Sequence, residues 1–404
     1  MGRKVLFVCY GGGHVASCLP VATSLRNSNW NVQILALTTA YQQVANLGWN
    51  PLGFKDFLTS LDEVALRNAD FLMEGESSEL VSKDESRAYL GLCYQDLVDV
   101  YGHVRAFEMY KAGGRHIFLP VPTLKRIISS IAPDVVVTTG SPRAEYAAQL
   151  AAYELGIRRV CILDLPDVLM VERLSAAPPG MIICAADNFS VLLLLSRGFR
   201  SEHLKLTGNP AFDSLQDFDP NAVLALRQKL KLSEDSKLIL WASQIEPATH
   251  PQTGCKGNTR LPEQIEAKLR EWVGDRKDSK LIVRYHPNEV RQFVKEKNVF
   301  LSKKNESLVT LLNACDIVVT MTSTVALQAK SLKKSVLSID LSVFSDDLPL
   351  VEMGISKGVS NLSDLSFTLD DIVNKSKPFA LGSVAFGSAT KNICQVIEDL
   401  NFSD

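Results

Sequence analysis

Short apolar runs alternate with longer mixed segments along the whole chain. The runs have the length of strands buried in a parallel sheet, and the segments between them are long enough for helices. The predicted strands are 5–9, 31–37, 135–139, 159–163, 182–184, 237–242, 280–284, 316–320 and 335–339. The predicted helices are 17–27, 41–47, 122–130, 143–155, 188–197, 262–273, 308–314 and 324–330. Repeated strand–helix units predict an α/β fold with doubly wound, Rossmann-like parallel sheets.

The strand–helix plan occurs twice and divides the chain into two halves. A length of 404 residues suits two domains, and loop-forming residues cluster at 207–220. We expect one domain over 1–207 and a second over 208–380, with two open sheets that face each other across a cleft. Residues 60–115 are polar and weakly periodic, so they are predicted to lie over the core as helices and loops, a natural place for an acceptor-binding insertion.

The composition is that of an ordinary globular protein, with 46% hydrophobic residues, 22% charged residues and a formal net charge of -2. This charge argues against a nucleic-acid partner. The 8 cysteines are scattered singly, without CxxC or Cys/His metal spacing, which predicts buried free thiols in a reducing cytoplasm. The apolar run at 5–9 is too short for a signal peptide, and the apolar stretch 191–195 is far below membrane-spanning length.

A glycine-rich turn with a histidine follows the first predicted strand. Gly11, Gly12 and Gly13 would let the backbone approach a ligand closely, and the next helix would aim free N–H groups at it. The pattern is neither the dinucleotide fingerprint nor a P-loop. His14 carries the one side chain whose unperturbed pKa lies near neutrality. The turn is therefore either a ligand cradle with a base or a tight turn with an exposed histidine.

Two candidate residue pairs follow strands in the second half of the chain. Ser243 and Gln244 come after the 237–242 strand and suit phosphate or ribose oxygens, or else form a simple loop. His286 and Pro287 come after the 280–284 strand, where the imidazole could donate to a phosphate or serve a structural purpose.

A run of hydroxyl residues follows the 316–320 strand. Thr322, Ser323 and Thr324 stand at the predicted start of a helix, where one of them would serve as a cap. Three consecutive hydroxyls exceed what one cap needs. The run, together with the helix dipole, therefore predicts a phosphate site.

Polar groups in the first half are expected near His14, because they follow neighbouring strands of the same sheet. These are Ser141, Arg143 and Glu145 after the 135–139 strand, and Asp164 and Asp167 after the 159–163 strand. One of the carboxylates could orient His14 or act as the base itself.

Several motifs together resemble the two-Rossmann (GT-B) glycosyltransferases and the related UDP-N-acetylglucosamine 2-epimerases, over nearly the whole chain. GGGH resembles the glycine-rich turn of the peptidoglycan N-acetylglucosaminyltransferase, and TGSP with AEYAAQLAAYELGI resembles the loop and helix near the acceptor. LTGNPAFD is similar to the interdomain segment, and ACDIVVTMTSTVALQAKSLKKSVL to the donor-phosphate strand–turn–helix. GSATKNICQVIEDL looks like the closing helix, which implies that 381–404 cross back to the first domain.

Other motifs leave the donor nucleotide open. Gln328 stands where the nucleotide-binding helix often carries a glutamate that grips ribose hydroxyls. The His286-Pro287 pair and the Ser/Thr run resemble motifs of sialyltransferase-like and Kdo-transferase-like enzymes that use CMP-sugars, and a related pattern occurs in CDP-glycerol polymerases. A histidine in a turn like GGGH is catalytic in a related UDP-sugar hydrolase.

The resemblance implies a metal-independent, inverting glycosyltransferase without a cofactor, which moves a sugar from a UDP- or CMP-linked donor to a glycan, lipid-linked or protein acceptor. The alternative is a nucleotide-sugar hydrolase or 2-epimerase, which needs no acceptor. His14, Asp164 or Asp167 would be the base, and Ser141, Arg143 and Glu145 would face the acceptor. The residues expected to bind the donor are Gly12, Gly13, Gly208, Asn209, Ser243, Gln244, His286, Pro287, Thr322, Ser323, Thr324 and Gln328. A cytoplasmic enzyme of this kind could associate with the inner face of the membrane.

Overall fold

The computed structural model describes residues 2–73, 81–165, 168–274, 276–286, 288–303, 305–375, 379 and 388–400. The chain forms two compact units, Met1–Asp213 with Gly387–Asp404, and Ser214–Phe386. The division falls after residue 213 rather than after 207. Gly208 and Asn209, which we expected beside the donor in the second domain, therefore belong to the first unit.

The first unit contains a parallel sheet with the strand order β2-β1-β3-β4-β5-β6. Its strands are β1 (Lys4–Cys9), β2 (Asn31–Ala36), β3 (Val135–Thr139), β4 (Arg158–Leu163), β5 (Ile182–Ala185) and β6 (Leu204–Leu206). Its helices are α1 (Gly13–Asn27), α2 (Ala40–Asn46), α3 (Glu63–Leu72), α4 (Lys83–Tyr101), α5 (His103–Gly113), α6 (Val121–Ile131), α7 (Ala144–Glu154), α8 (Val168–Ser175) and α9 (Asn188–Ser196).

The second unit contains a parallel sheet with the order β12-β11-β10-β7-β8-β9. Its strands are β7 (Lys237–Ala242), β8 (Ser279–Arg284), β9 (Val299–Leu301), β10 (Ile317–Thr320), β11 (Ser335–Ile339) and β12 (Lys357–Val359). Its helices are α10 (Pro220–Lys229), α11 (Leu261–Gly274), α12 (Leu308–Ala314), α13 (Thr324–Ser331) and α14 (Leu365–Lys375). The predicted α/β class with two Rossmann-like parallel sheets is confirmed.

The last helix, α15 (Ala389–Glu398), belongs to the first unit. Ile393, Cys394 and Ile397 of α15 join the apolar cluster that contains Val21 and Leu25 of α1. The described C-terminal helix thus completes one face of the first core.

The segment 60–115 differs from its prediction as a layer over the core. Helix α4 is itself core, since Ala88, Tyr89 and Leu90 share an apolar cluster with strand β1. Its polar appearance comes partly from Glu85, which is buried and accepts the backbone N–H groups of residues 54 and 55 at 2.9 and 3.1 Å. The sequence alone does not distinguish a buried carboxylate that is paired with backbone N–H groups from a carboxylate on the surface.

Candidate functional site

The first candidate site lies where the order of the first sheet reverses. The chain leaves β1 for β2 on one side, whereas β3 and β4 follow on the other. In open α/β sheets, ligands bind at the carboxyl ends of the strands beside such a reversal. Helix α1 begins at Gly13, rather than at the predicted residue 17, so His14 lies in the first turn of the helix. Gly12 precedes the helix with φ 74°, a conformation that favours glycine.

A hydrogen-bonded relay joins His14 to a buried carboxylate. The Nδ1 atom of His14 is 2.6 Å from Oγ1 of Thr139, the last residue of β3. The same Oγ1 lies 2.6 Å from Oε2 of Glu145, to which it donates. Since a hydroxyl has one proton, Thr139 must accept from His14 when it donates to Glu145. Nδ1 then carries the imidazole proton, and the lone pair of Nε2 is available to take a proton.

Glu145 is fully buried and surrounded by donors. Its carboxylate accepts the backbone N–H of Tyr10 at 2.9 Å and that of Thr139 at 2.7 Å, in addition to the hydroxyl. Burial raises the pKa of Glu145, while His14 and these hydrogen bonds oppose the rise. The prediction that Glu145 faces an acceptor is therefore wrong, because its side chain has no exposed surface. Its position suits the orienting carboxylate that the sequence also allowed.

The other predicted groups of the first unit lie around the same sheet edge. Asp164 is buried, and its Oδ2 would lie 3.9 Å from a Cβ added at Gly13, so this carboxylate is close to the start of α1. Arg143 precedes α7 with φ 68°, and its guanidinium carbon lies 5.0 Å from the ring centroid of Tyr10. Ser141, which is separated from Arg143 by Pro142, is also buried. Asp167 and Pro287, both predicted site residues, lie outside the described residues.

The LTGNPAFD segment binds the C-terminal helix. Asp213 accepts the backbone N–H groups of Ala389 and Thr390 at 3.2 and 2.7 Å and so caps α15. Gly208 has φ 89°, and a Cβ there would lie 3.0 Å from that of Ala389. The amide of Asn209 donates to the backbone oxygen of Asp164 at 2.9 Å. For both Gly208 and Asn209, these contacts explain the motif without a bound nucleotide-sugar donor.

The second candidate site lies where the second sheet reverses, between β7 and β10. Gln244, just after β7, spans this reversal: its Nε2 donates to the backbone oxygen of Thr322 at 2.5 Å, and its Oε1 accepts the N–H of Thr322 at 2.7 Å. Both ends of the amide thus bind the turn after β10. Gln244 therefore shapes the site, which corrects the expectation that its amide faces ribose or phosphate.

The hydroxyl run occupies the start of α13, as the sequence predicts. The Ser323 hydroxyl accepts the N–H of Val325 at 3.2 Å and caps the helix, while Thr322 is half-buried and Thr324 is exposed. Ser243 is 6% exposed, and its Oγ has no hydrogen-bond partner among the described residues. Buried polar atoms are usually paired, so this hydroxyl suits a bound ligand. Oε1 of Gln328, on α13, is also buried without a partner in the described chain.

His286, after β8, has the opposite ring arrangement to His14. Its Nδ1 accepts the backbone N–H of Asn288 at 3.2 Å, so the proton of the neutral ring is on Nε2. A neutral ring in this state presents a hydrogen-bond donor at Nε2, which suits a phosphate oxygen.

Two buried groups near this sheet edge escape the sequence analysis. Glu246 accepts the Ser342 hydroxyl at 2.7 Å and the N–H of Val343 at 2.8 Å, and it fixes the loop after β11. His250 is 1% exposed, and its Nε2 lies 2.8 Å from the Asp347 carboxylate. Thr139, which belongs to the first candidate site, is also absent from the predicted site residues, although it is the first residue of the TGSP motif. None of the three has a local pattern that separates it from a structural residue.

Comparisons with known proteins agree with this architecture. Residues 188–346 match the family model described as CDP-Glycerol:Poly(glycerophosphate) glycerophosphotransferase. No curated protein sequence matches the chain. Among solved structures, the UDP-N-acetylglucosamine 2-epimerase from Rickettsia bellii aligns with a TM-score of 0.61 at 10% identity, covering 99% of this chain and 97% of that one.

Two further structures cover both sheets. The UDP-GlcNAc 2-epimerase from Neisseria meningitidis, bound to UDP-GlcNAc, gives a TM-score of 0.58 at 15% identity and covers 98% of this chain and 100% of its own. The glycosyltransferase SnogD from Streptomyces nogalater gives 0.51 at 15% identity, with coverage of 98% and 100%. None of the helices in the described part of the chain combines the length and apolar character needed to cross a membrane. The chain has the two-Rossmann (GT-B) fold that these solved structures share.

Proposed function

We propose that the protein is a glycosyltransferase that moves a sugar from a nucleotide-sugar donor to an acceptor hydroxyl. The observation that carries this proposal is the Glu145–Thr139–His14 relay, which leaves Nε2 of His14 available as a general base. In this proposal the first unit supplies the base, and the second unit holds the nucleotide.

The transfer would be a single displacement. His14 takes the proton of the acceptor hydroxyl as its oxygen attacks the anomeric carbon of the donor. The bond between that carbon and the phosphate oxygen breaks, and the nucleotide leaves with the electron pair, which inverts the anomeric centre. Thr139 and the Glu145 carboxylate would stabilise the imidazolium that forms. Activity without a metal ion stays a prediction.

The leaving nucleotide gains negative charge in this step, and groups of the second unit could stabilise it. The hydroxyls of Thr322, Ser323 and Thr324 stand at the N-terminus of α13, where the helix dipole favours an anion. The hydroxyl of Ser243, which has no partner among the described residues, and the Nε2 proton of His286 are further donors. Hydrogen-bond donors that are already in position before the reaction lower its barrier, because they need not reorganise in the transition state.

The match of residues 188–346 favours a second candidate, transfer of a glycerophosphoryl group from CDP-glycerol. The matched range includes His286 and the hydroxyl run, which are the groups proposed to bind phosphate. The acceptor oxygen would then attack phosphorus, and CMP would leave. The same base would serve both reactions.

Product analysis separates these reactions. The protein is incubated with UDP-N-acetylglucosamine, CMP-sialic acid or CDP-glycerol, each with and without a glycan and lipid extract, and the nucleotides are quantified by chromatography. Acceptor-dependent release of UDP or CMP from a nucleotide-sugar supports the glycosyltransferase. Release of CMP from CDP-glycerol supports the second candidate. Release without an acceptor indicates a hydrolase, and isomerised sugar without release indicates an epimerase. No change in any donor would refute the proposal for these donors.

A further inference from the structure

The turn that carries His286 closes on itself through hydrogen bonds. The N–H of Glu289 donates to the backbone oxygen of His286 at 2.8 Å, and the N–H of His286 donates to Oε2 of Glu289 at 3.2 Å. The N–H of Asn288 reaches Nδ1 of the imidazole. Three bonds therefore define the backbone and the ring of His286, and one of them depends on the Glu289 carboxylate.

Arg291 holds that carboxylate in place. Its Nη1 lies 3.0 Å from Oε1 of Glu289 and 3.3 Å from Oε2 of Glu266, a residue of α11 that is 4% exposed. The Arg291 guanidinium carbon also lies 5.1 Å from the ring centroid of Tyr285. A single guanidinium thus ties the turn after β8 to helix α11.

Glu266 is fixed independently of Arg291. It accepts from Nε of Arg270 at 2.8 Å and from the Tyr285 hydroxyl at 3.1 Å. It therefore forms a stationary, buried anion against which Arg291 is held. Without Arg291, the carboxylates of Glu266 and Glu289 would face each other with no shared cation, and Glu289 would turn away.

We propose that Arg291 is a positioning residue for His286: it holds Glu289 against the His286 turn and so fixes the ring with its Nε2 proton presented as a donor. The consequence for phosphate binding rests on the proposed function, whereas the effect on the ring does not. Loss of Arg291 should free the turn, so that His286 samples both neutral tautomers and several orientations.

The ring state is measured first, without a ligand. Nitrogen NMR of histidine-labelled protein at pH 8 reports which ring nitrogen of His286 is protonated, with the signal assigned from His286→Gln. We expect the Nε2-protonated form in the wild type and a mixture in Arg291→Met. Arg291→Lys should retain more of the wild-type form, because an ammonium can still bind Glu289. Arg276→Met is the matched control, since Arg276 likewise pairs with a carboxylate, that of Asp370, and stacks on an aromatic ring, that of Trp272.

Calorimetry with UDP and CDP then tests the consequence for ligand binding. Arg291→Met should weaken the better-bound nucleotide about tenfold, the scale of one poorly aimed hydrogen bond to a charged group, and Arg276→Met should not. Identical ring signals in the wild type and Arg291→Met would overturn the proposal, as would equal ring disorder in Arg276→Met. If neither nucleotide binds the wild type, the proposed nucleotide site is wrong, and the ring signals alone decide the role of Arg291.

Discussion

Replacing Thr139 with valine removes the hydroxyl between His14 and Glu145 while it preserves the volume of a side chain that is 1% exposed. Glu145 would keep its two backbone donors and lose the third. A hydrogen bond to a charged group contributes about 1.5–3 kcal/mol, so we expect a loss of about that size in the free energy of unfolding at neutral pH. Because valine cannot accept from Nδ1, we also expect turnover to fall about ten- to a hundredfold.

The loss of stability should depend on pH. Burial raises the pKa of Glu145 in the folded protein. Such a carboxyl stabilises the fold fully at pH below its unfolded pKa, and this contribution is lost as the pH rises through the folded pKa. The Thr139 hydroxyl lowers the folded pKa, so the valine variant should raise it further. The difference in stability between wild type and variant should therefore be small in acid and grow as the pH rises through the wild-type pKa of Glu145.

Thr139→Ser is the matched control, because it keeps the hydroxyl and loses a buried methyl group, at a cost of about 0.8 kcal/mol. Urea unfolding followed by tryptophan fluorescence gives stability between pH 4 and 8, and nucleotide release from the active donor gives turnover. Valine should lose both stability and turnover, whereas serine should retain most of the turnover. Equal turnover in the two variants, or a valine penalty that does not change with pH, would refute the relay.

Three other substitutions test separate parts of the structure. His14→Ala should lower turnover about 10²- to 10⁴-fold at saturating donor, whereas substitution of the exposed His103 should leave turnover unchanged. Equal turnover in His14→Ala and the wild type would exclude His14 as the base. Ser323→Ala should cost about 1 kcal/mol as a lost helix cap and also weaken nucleotide binding, whereas Ser307→Ala, which removes the cap of α12, should cost only stability in thermal-shift measurements. Asp213→Ala should speed hydrogen exchange in α15 because that helix loses about 0.5–2 kcal/mol of capping, and Asp213→Asn should restore part of the protection. Unchanged exchange in Asp213→Ala would contradict the capping of α15 by Asp213.

The sequence predicts the central strands of the two sheets well because those strands are buried on both faces, whereas the short, partly exposed strands β6, β9 and β12 are not predicted. Strands such as β3 and β7 are mainly apolar and are buried along their whole length, and the sheet-edge rule then brings residues that follow neighbouring strands together. That rule correctly predicts that Glu145 lies near His14, with 3.9 Å between Nδ1 and Oε1. It cannot distinguish a side chain that faces a ligand from one that binds the backbone, because that difference is made by contacts distant in the sequence.

Gln244 and Asp213 illustrate this limit. The side-chain amide of Gln244 binds a turn that lies 78 residues away in the sequence, and Asp213 caps a helix that begins 176 residues later. The predicted start of α1 lies later than the observed start at Gly13, because glycine has low intrinsic helix propensity. Helix α4 resembles a surface segment in the sequence for a related reason: its buried Glu85 has partners that periodicity does not reveal.

The most direct test of the division of labour between the units is the dissociation constant for UDP and CDP, measured by calorimetry on the wild type, His14→Ala and His286→Ala. The wild type should bind at least one nucleotide, and His286→Ala should weaken it about tenfold or more through the lost Nε2 donor. His14→Ala should bind it as the wild type does. No binding to the wild type, or equal weakening by the two substitutions, would contradict a nucleotide site in the second unit and a base in the first.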